Sequence, residues 1–152
     1  MAKILMVCLG NICRSPLAEG ILKSKLDTSL HTVDSAGTGA WHSGELPDKR
    51  SIAVAKNYGI DLTDQRARLF LKEDFDRFDK IYVMDKSNYV NVCKLAPNNE
   101  ALDKVELILN ESQPGKDLEV PDPYYGGDHG FENVFQMLDQ ACNKIKDKLE
   151  NA

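Results

Sequence analysis

The chain opens with MAKILMVCLGNICRSPLAEG (residues 1–20), a stretch that decides the fold because an apolar run leads directly into a helix start. The residues at positions 4–7 are all apolar, which is typical of a strand buried on both faces of a sheet. Ser15 and Pro16 then predict a helix, with the serine as its N-cap and the proline as its first helical residue. A strand that passes into a helix in this way is the first half of a βαβ unit, so the opening stretch predicts a parallel sheet.

Strands and helices continue to alternate along the rest of the chain. The further predicted strands are residues 32–35, 80–84 and 105–109. Further helices are predicted to begin near Pro47, Asp85 and Phe131. The last helix carries a continuous apolar face up to Leu149, with charged residues opposite. We therefore predict an α/β fold in a single domain, residues 1–152, with a four-stranded parallel sheet flanked by helices on both faces.

The composition argues against several classes of protein. A formal net charge of −5 disfavours nonspecific nucleic-acid binding, because no basic field would gather phosphates. The apolar run at residues 4–9 is too short for a signal-peptide core, and no segment approaches a membrane span of about 20 residues. Four cysteines in 152 residues do not make the dense disulfide framework of small secreted domains. We expect a cytoplasmic protein with free thiols, no nucleic-acid partner and no membrane contact.

Residues 8–15, CLGNICRS, lie at the carboxyl end of the first predicted strand, where parallel sheets bind ligands. We expect Gly10 to take the tight bend there, so that the N–H groups around it point into one anion-binding concavity. Arg14 adds a planar fork that fits two phosphate oxygens, and this positive setting favours the thiolate form of Cys8. The Ser15 hydroxyl could donate to that sulfur. The alternative is an ordinary turn that contains a cysteine by chance.

Two separate motifs, VCLGNICRSP (7–16) and EVPDPYYGG (119–127), resemble the low-molecular-weight protein tyrosine phosphatase family. The similarity extends over essentially the whole chain and includes DSAGT (34–38) and KEDFDRFDKIYVMD (72–85). The resemblance implies a flavodoxin-like or Rossmann-like sheet of four parallel strands, with neither a metal nor a cofactor. It also implies hydrolysis of phosphotyrosine and of aryl phosphates through a phosphocysteine intermediate.

The resemblance assigns a chemical role to residues of both motifs. Cys8 would attack phosphorus while a phosphate-binding loop holds the equatorial oxygens, and that loop comprises Leu9, Gly10, Asn11, Ile12, Cys13, Arg14 and Ser15. Asp122 would protonate the leaving phenol and then activate water, although an aspartate between two prolines is by itself an ordinary turn residue. Asn11, Ser15 and Ser35 would support the loop by hydrogen bonds, and Ser35 alone is also typical of a strand end.

The substrate slot is expected to have apolar and aromatic walls, made by Leu9, Ile12, Trp41, His42, Tyr124 and Tyr125. A phosphotyrosine ring needs such walls, and a deep slot keeps the shorter phosphoserine from reaching the sulfur. Trp41 is the only tryptophan, and a lone tryptophan is more often a core residue, but the glycine-rich stretch around it is a poor core site. His42 is interpreted as a residue that tunes substrate preference or as a solvated side chain.

Other positions stay open within the resemblance. Gln65 stands where family members often have a histidine that organises the loop-supporting network, so we expect altered loop rigidity with activity retained. The resemblance also suggests a reversible disulfide between Cys8 and Cys13 under oxidation, while the alternative for Cys13 is a small buried filler beneath the loop. Cys93 and Cys142 fall on predicted helices and are expected in the core.

Three other functions compete with a tyrosine phosphatase. Protein arginine phosphatases of the same family tend to have a threonine at the position of Ile12. Thioredoxin-coupled arsenate reductases need two further cysteines near the third strand, where only Cys93 occurs. A non-catalytic phosphopeptide-binding module would need neither a nucleophile nor an acid. For a phosphatase, the expected partners are a phosphotyrosine-containing protein substrate and, by analogy, an opposing tyrosine kinase, and we expect a monomer.

Overall fold

The structure, a computed structural model, describes residues 1–123 and 129–151. One parallel sheet contains four strands: β1 (Lys3–Cys8), β2 (Thr32–Gly37), β3 (Lys80–Val83) and β4 (Val105–Leu107). The helices of the described ranges are α1 (Arg14–Lys25), α2 (Lys49–Lys56), α3 (Asp74–Arg77), α4 (Lys86–Cys93), α5 (Asn99–Leu102), α6 (Leu109–Ser112) and α7 (Gly130–Glu150). Strands and helices alternate as predicted, and the short helices α3, α5 and α6 are additions that the sequence patterns missed.

Strand β1 lies in the middle of the sheet, because the strand order is β2-β1-β3-β4 and every neighbouring pair is parallel. Its residues Leu5, Met6 and Val7 are fully buried, as the apolar run predicted. The chain continues from β1 to β2 on one side and reaches β3 on the other side, so the winding direction changes at the end of β1. Parallel sheets bind ligands at such a point, and Cys8 is the last residue of β1.

Alternate residues of β1 contribute to two hydrophobic cores, one on each face of the sheet. Ile4 and Met6 pack in the core formed with α1 and α7. Leu5 and Val7 pack in the other core, which contains Phe75 of α3 together with residues of α4 and α5. Helices therefore cover both faces of a four-stranded parallel sheet, which confirms the predicted fold class.

The start of α1 differs from the prediction. The helix begins at Arg14 with Cys13 as its N-cap residue, so the prediction of Ser15 as N-cap is wrong. Ser15 lies inside the first turn and is fully buried. Its hydroxyl contacts Cys8 and Asn11 instead of capping the helix, because tertiary partners outweigh the local preference of serine for a helix start.

Other element boundaries are close to the predicted ones. Strand β4 ends at Leu107, two residues earlier than predicted, because Leu109 already begins α6. Asp85 caps α4 as predicted, since its Oδ1 accepts a hydrogen bond from the Asn88 backbone N–H at 2.7 Å. The helix predicted to open near residue 47 has Asp48 as its N-cap.

Helix α7 buries the apolar face that the sequence predicted, and its buried members are Phe131, Val134, Phe135, Leu138, Ala141, Cys142 and Ile145. Cys142 is a core residue as expected, whereas Cys93 on α4 is only partly buried and packs against the margin of the second core. No helix within residues 1–123 and 129–151 combines the length and apolar content that a membrane crossing requires.

Replacing Leu138 by alanine should lower the free energy of unfolding by about 2–5 kcal/mol, because it removes a fully buried side chain of α7 and leaves a cavity. Urea unfolding monitored by circular dichroism measures this loss. Leu95→Ala is the control, since the Leu95 side chain is 45% exposed and should change stability far less. Equal losses in the two variants would contradict the assignment of this core.

Candidate active site

Cys8 lies at the base of the candidate site and is 2% exposed. Its Sγ is 3.0 Å from Ser15 Oγ. Asn11 Nδ2 donates hydrogen bonds to Ser15 Oγ at 2.8 Å and to Ser35 Oγ at 2.9 Å. Because the Ser15 oxygen accepts from Asn11, the Ser15 proton is left to donate to the Cys8 sulfur. The structure thus brings together the predicted nucleophile and the three predicted loop-supporting residues.

The loop between β1 and α1 turns at Asn11, whose φ is 58°. The expectation that Gly10 takes the special conformation is therefore wrong, since Gly10 is not among the positive-φ glycines. Left-handed backbone is strained for residues with a Cβ, and asparagine tolerates it better than most. Gly37 of β2 allows the loop to approach closely, because a Cβ there would lie 2.8 Å from the Leu9 carbonyl oxygen.

Asn11 is held from its other side by Arg68, a residue that the sequence analysis missed. The Arg68 backbone N–H donates to Asn11 Oδ1 at 3.0 Å. The Arg68 guanidinium is itself bound by Asp74 at 3.0 Å and by Asp34 at 3.2 Å, and Asp74 is fully buried. Burial opposes the charge of this guanidinium, yet the two carboxylates raise the pKa of Arg68. Asn11 is thus anchored to a rigid ion-pair cluster behind the loop.

The guanidinium of Arg14 is buried and fixed on one side. Arg14 Nη1 donates to Asp85 Oδ2 at 2.7 Å and to the Val120 carbonyl oxygen at 2.9 Å. Burial opposes the charged form, but the facing Cys8 and the bonded Asp85 carboxylate raise the pKa of Arg14. Arg14 therefore stays charged in the site, with its orientation set before any anion enters.

Asp85 has a second role that the sequence analysis missed, because the pattern around it predicted only a helix cap. Its Oδ1 caps α4 through Asn88 and its Oδ2 binds Arg14. The available signal was its position directly after a buried strand, which places it at the same sheet edge as Cys8.

A cavity of about 290 Å³ opens over Cys8 and is lined by Cys8, Leu9, Gly10, Ile12, Cys13, Arg14, Trp41, His42 and Asp122. Asp122 is half-buried and comes from a segment more than a hundred residues after the loop. The predicted nucleophile, arginine and general acid therefore line one cavity. Larger cavities of about 400 and 520 Å³ elsewhere on the described surface contain none of these three residues.

Four of the six predicted slot-wall residues lie within the described residues. Leu9, Ile12, Trp41 and His42 all line the cavity, whereas Tyr124 and Tyr125 lie outside the described residues. Trp41 is 72% exposed, so it is a rim residue and not a core residue. Its ring occupies the space above Gly39, where a Cβ would overlap it. His42 Nδ1 contacts the Glu45 carboxylate, which holds the imidazole on the cavity rim.

Ser35 joins the loop to a buried carboxylate that the sequence analysis did not single out. Ser35 Oγ donates to Glu19 Oε1 at 2.6 Å, and Lys23 Nζ binds Glu19 Oε2 at 2.5 Å. Glu19 is 3% exposed. Burial raises the pKa of Glu19, although Lys23 and Ser35 partly offset this.

Gln65 is buried beside the first turn of α1, where its Nε2 donates to the Pro16 carbonyl oxygen at 3.1 Å. Its Oε1 is buried and has no hydrogen-bond partner within residues 1–123 and 129–151. Gln65 therefore contacts the helix that follows the loop, and the expected effect on loop rigidity stays a prediction.

Cys13 belongs to the loop between β1 and α1 and lines the cavity. Burial, followed by the charges of Asp48 and Cys8, raises the pKa of the Cys13 thiol to about 12. The Cys13 thiol therefore remains protonated at neutral pH. All four cysteines of the chain are free thiols.

Comparisons with known proteins agree in pointing to one family. A family model described as low molecular weight phosphotyrosine protein phosphatase matches residues 3–152. A protein of that name from Schizosaccharomyces pombe is 42% identical over 150 residues, which cover 95% of this chain and 95% of the relative. A protein tyrosine phosphatase of Entamoeba histolytica superposes with a TM-score of 0.92 at 38% identity, covering 99% of this chain and 98% of the other. An arginine phosphatase of Drosophila superposes with a TM-score of 0.88 at 30% identity, covering 98% of each chain.

Replacing Asp85 by alanine should weaken binding of inorganic phosphate by about tenfold or more, because the buried Arg14 guanidinium loses a charged partner that orients it. Isothermal titration calorimetry measures the affinity.

Asn98→Ala is the matched control for the loss of a helix cap. Asn98 caps α5 by accepting from the Ala101 N–H at 2.8 Å, as Asp85 caps α4. The control should bind phosphate like the wild type. If Asp85→Ala also binds phosphate with wild-type affinity, Asp85 does not prepare Arg14 for an anion.

Proposed function

This chain belongs to the low molecular weight phosphotyrosine protein phosphatase family, and on that premise we propose that it hydrolyses phosphotyrosine with Cys8 as nucleophile and Asp122 as general acid and base. As a member it is a protein-tyrosine phosphatase, that is, a phosphoric monoester hydrolase. The observation that carries the proposed mechanism is the single cavity lined by Cys8, Arg14 and Asp122. These are the nucleophile, the anion-binding group and the proton donor that such a hydrolysis needs.

In the first step the Cys8 thiolate attacks phosphorus, and an S–P bond forms as the P–O bond to the phenol breaks. Asp122 donates its proton to the departing oxygen, so a neutral phenol leaves. Arg14 and the loop N–H groups hold the three remaining phosphate oxygens. Because Asp85 and Val120 already orient Arg14, little reorganisation accompanies the developing charge.

In the second step water attacks the phosphocysteine and Asp122 takes a proton from that water. A new P–O bond forms, the S–P bond breaks, and the electron pair returns to sulfur as thiolate. The Ser15 hydroxyl, 3.0 Å from Sγ, donates to the departing sulfur and makes it a better leaving group. The products are inorganic phosphate and the enzyme in its starting state.

The choice of phosphotyrosine rests on the cavity walls. Leu9, Ile12 and Trp41 present apolar surface to a ring held above Cys8. The arginine phosphatase of Drosophila has the same fold, so the fold alone does not separate the two substrates. Ile12, where arginine phosphatases tend to have threonine, favours the aromatic substrate. The arsenate reductase alternative lacks support, because Cys93 is the only cysteine that follows β3 before α7.

Cys8→Ser should abolish nearly all release of phosphate from an aryl phosphate, because a serine hydroxyl is a far weaker nucleophile than a thiolate.

Asp122→Asn should lower kcat by about 10²–10⁴-fold, because the amide has no proton to donate to the phenol. Steady-state kinetics measure both variants. Assays of phosphate release from phosphotyrosine peptides and from phosphoarginine peptides compare the two substrate classes.

Binding is the control for these variants. Cys8→Ser should retain affinity for inorganic phosphate, because Arg14 and the loop N–H groups are unchanged. A fully active Cys8→Ser protein would refute the mechanism, and faster release from phosphoarginine than from phosphotyrosine would refute the substrate class. Arsenate-dependent oxidation of thioredoxin would support the reductase instead.

The site also supports a proposal about oxidation, in which Cys13 protects an oxidised Cys8. Hydrogen peroxide would convert the Cys8 thiolate into a sulfenic acid with release of hydroxide. The Cys13 sulfur then attacks the Cys8 sulfur, an S–S bond forms and the sulfenic oxygen leaves as water. Because the pKa of Cys13 is raised to about 12, Cys8 is the sulfur that reacts first.

Peroxide-treated wild type should regain activity after addition of a thiol reductant, whereas Cys13→Ser should recover much less because its Cys8 is oxidised further. Phosphatase assays before and after reduction measure the recovery. Cys93→Ser is the control, since Cys93 lies on α4 away from the cavity. Equal recovery of Cys13→Ser and wild type would rule out the disulfide.

Three predictions about the cellular setting accompany the proposal. A tyrosine kinase has to supply the phosphotyrosine substrate, so such a kinase is the expected functional counterpart. The enzyme is expected to act as a monomer and in the cytoplasm. All three stay predictions.

A further inference from the structure

The segment that carries Asp122 passes from the surface into the core at Val120. Residues 113–119 are exposed, whereas Val120 is fully buried. The Val120 N–H donates to the Met84 carbonyl oxygen at 2.8 Å, and the Val120 carbonyl oxygen accepts from Arg14 Nη1 at 2.9 Å. Val120 therefore connects the segment both to the chain just after β3 and to the phosphate-binding arginine.

Glu119, the last exposed residue before Val120, binds the start of α4. Its Oε2 accepts from the Lys86 backbone N–H at 2.9 Å. Lys86 is the first residue of α4, so this N–H has no acceptor within the helix, and the positive end of the helix favours a carboxylate. Asp85, which orients Arg14, caps the same helix. The start of α4 thus binds both the residue that orients the arginine and the segment that carries the proposed acid.

Few rotations separate this anchored point from Asp122. Only Pro121 lies between Val120 and Asp122, and the proline ring fixes φ at that position. Pro123 restricts Asp122 in turn, because the residue before a proline is directed towards extended backbone. Pro123 also lies against the start of α7, where a Cβ on Gly130 would be 3.1 Å from the Pro123 carbonyl oxygen. The backbone of Asp122 therefore follows a displacement of the two residues that precede Pro121.

We propose that Glu119 is a positioning residue for Asp122, because its carboxylate binds the start of α4 and holds the acid-bearing segment beside Arg14. This inference rests on the proposed function. Glu119 is exposed and is not among the residues that line the cavity, so it acts through Asp122 and does not touch the substrate. The consequence is that a surface carboxylate outside the cavity influences proton transfer to the leaving phenol.

The first test compares kcat/KM of Glu119→Ala and wild type for phenyl phosphate and for para-nitrophenyl phosphate. The value for phenyl phosphate should fall about three- to tenfold, as expected when one hydrogen bond that positions the acid is lost. The loss should be smaller for para-nitrophenyl phosphate, because its phenolate leaves more readily without a proton. Inhibition by inorganic phosphate should stay at the wild-type level, because Arg14 keeps its contact with Asp85.

Two control variants separate the hydrogen bond from the charge. Glu119→Gln keeps a side-chain oxygen that accepts from the Lys86 N–H, so its kcat/KM for phenyl phosphate should stay near wild type. Glu100→Ala removes another exposed glutamate, in this case from the first turn of α5, and should match the wild type on both substrates. A loss in Glu100→Ala as large as that in Glu119→Ala would contradict a specific role of Glu119.

The second test asks whether Glu119 acts through Asp122. The double variant Glu119→Ala/Asp122→Asn should have the same kcat/KM as Asp122→Asn alone, because no acid is left to position. If the two losses multiply in the double variant, Glu119 acts by another route and the proposal is wrong. Because Glu119 is exposed, none of these variants removes a buried side chain at that position.

A third readout does not require catalysis. Amide hydrogen exchange at the Val120 N–H, followed by NMR, should be faster in Glu119→Ala than in wild type or Glu119→Gln, because the segment loses one of its contacts. Unchanged exchange would refute the anchoring. A wild type that releases no phosphate, or an active Cys8→Ser protein, would refute the proposed function and the positioning with it. With an active wild type, an unchanged kcat/KM of Glu119→Ala, or equal losses on the two substrates, would refute the positioning role alone.

Discussion

The side-chain amide of Asn11 is the interaction on which the rest of the site depends. Its nitrogen donates to Ser15 and Ser35, and its oxygen accepts from the Arg68 backbone, so all the polar atoms of the amide have partners in three different segments. These bonds hold the Asn11 backbone in the left-handed region, which is strained for a residue with a Cβ. The turn at Asn11 in turn determines how the loop N–H groups surround the space above Cys8.

Three ion pairs around the loop connect it to different parts of the fold. Arg14 binds Asp85 beyond β3, Arg68 binds Asp74 of α3, and Lys23 binds Glu19 within α1; the carboxylates of Asp74 and Glu19 are almost completely buried. Buried ion pairs add little net stability, because desolvation offsets much of the attraction. The two hydrophobic cores supply the stability, and we interpret the ion pairs as the elements that set the geometry of the site.

The sequence predicted the framework well and the details of the loop less well. The run at residues 4–7 predicted a central buried strand, and the spacing after Phe131 predicted the buried face of α7; both are confirmed because periodicity directly reflects burial. Ser15 as N-cap and Gly10 as the bend are wrong, because both predictions used the local preferences of single residues. The Ser15 hydroxyl contacts the Cys8 sulfur instead of capping the helix. Asn11 can take the bend because the Arg68 backbone N–H binds its side chain.

By itself the sequence determined the alternation of strands and helices, the position of CLGNICRS at the end of the first strand, and the residue types of a phosphate site. Only the tertiary structure decided which residues meet there. Asp85 reaches Arg14 because β3 pairs with β1 and the carboxyl ends of both strands share one edge. Asp122 lines the cavity because its segment is attached to the same edge, where the Val120 N–H donates to the Met84 carbonyl oxygen at 2.8 Å. Strand order depends on burying both faces of the sheet at once, a constraint of the whole chain that no local pattern contains. Glu19 contacts Ser35 for the same reason, since β2 brings Ser35 beside α1.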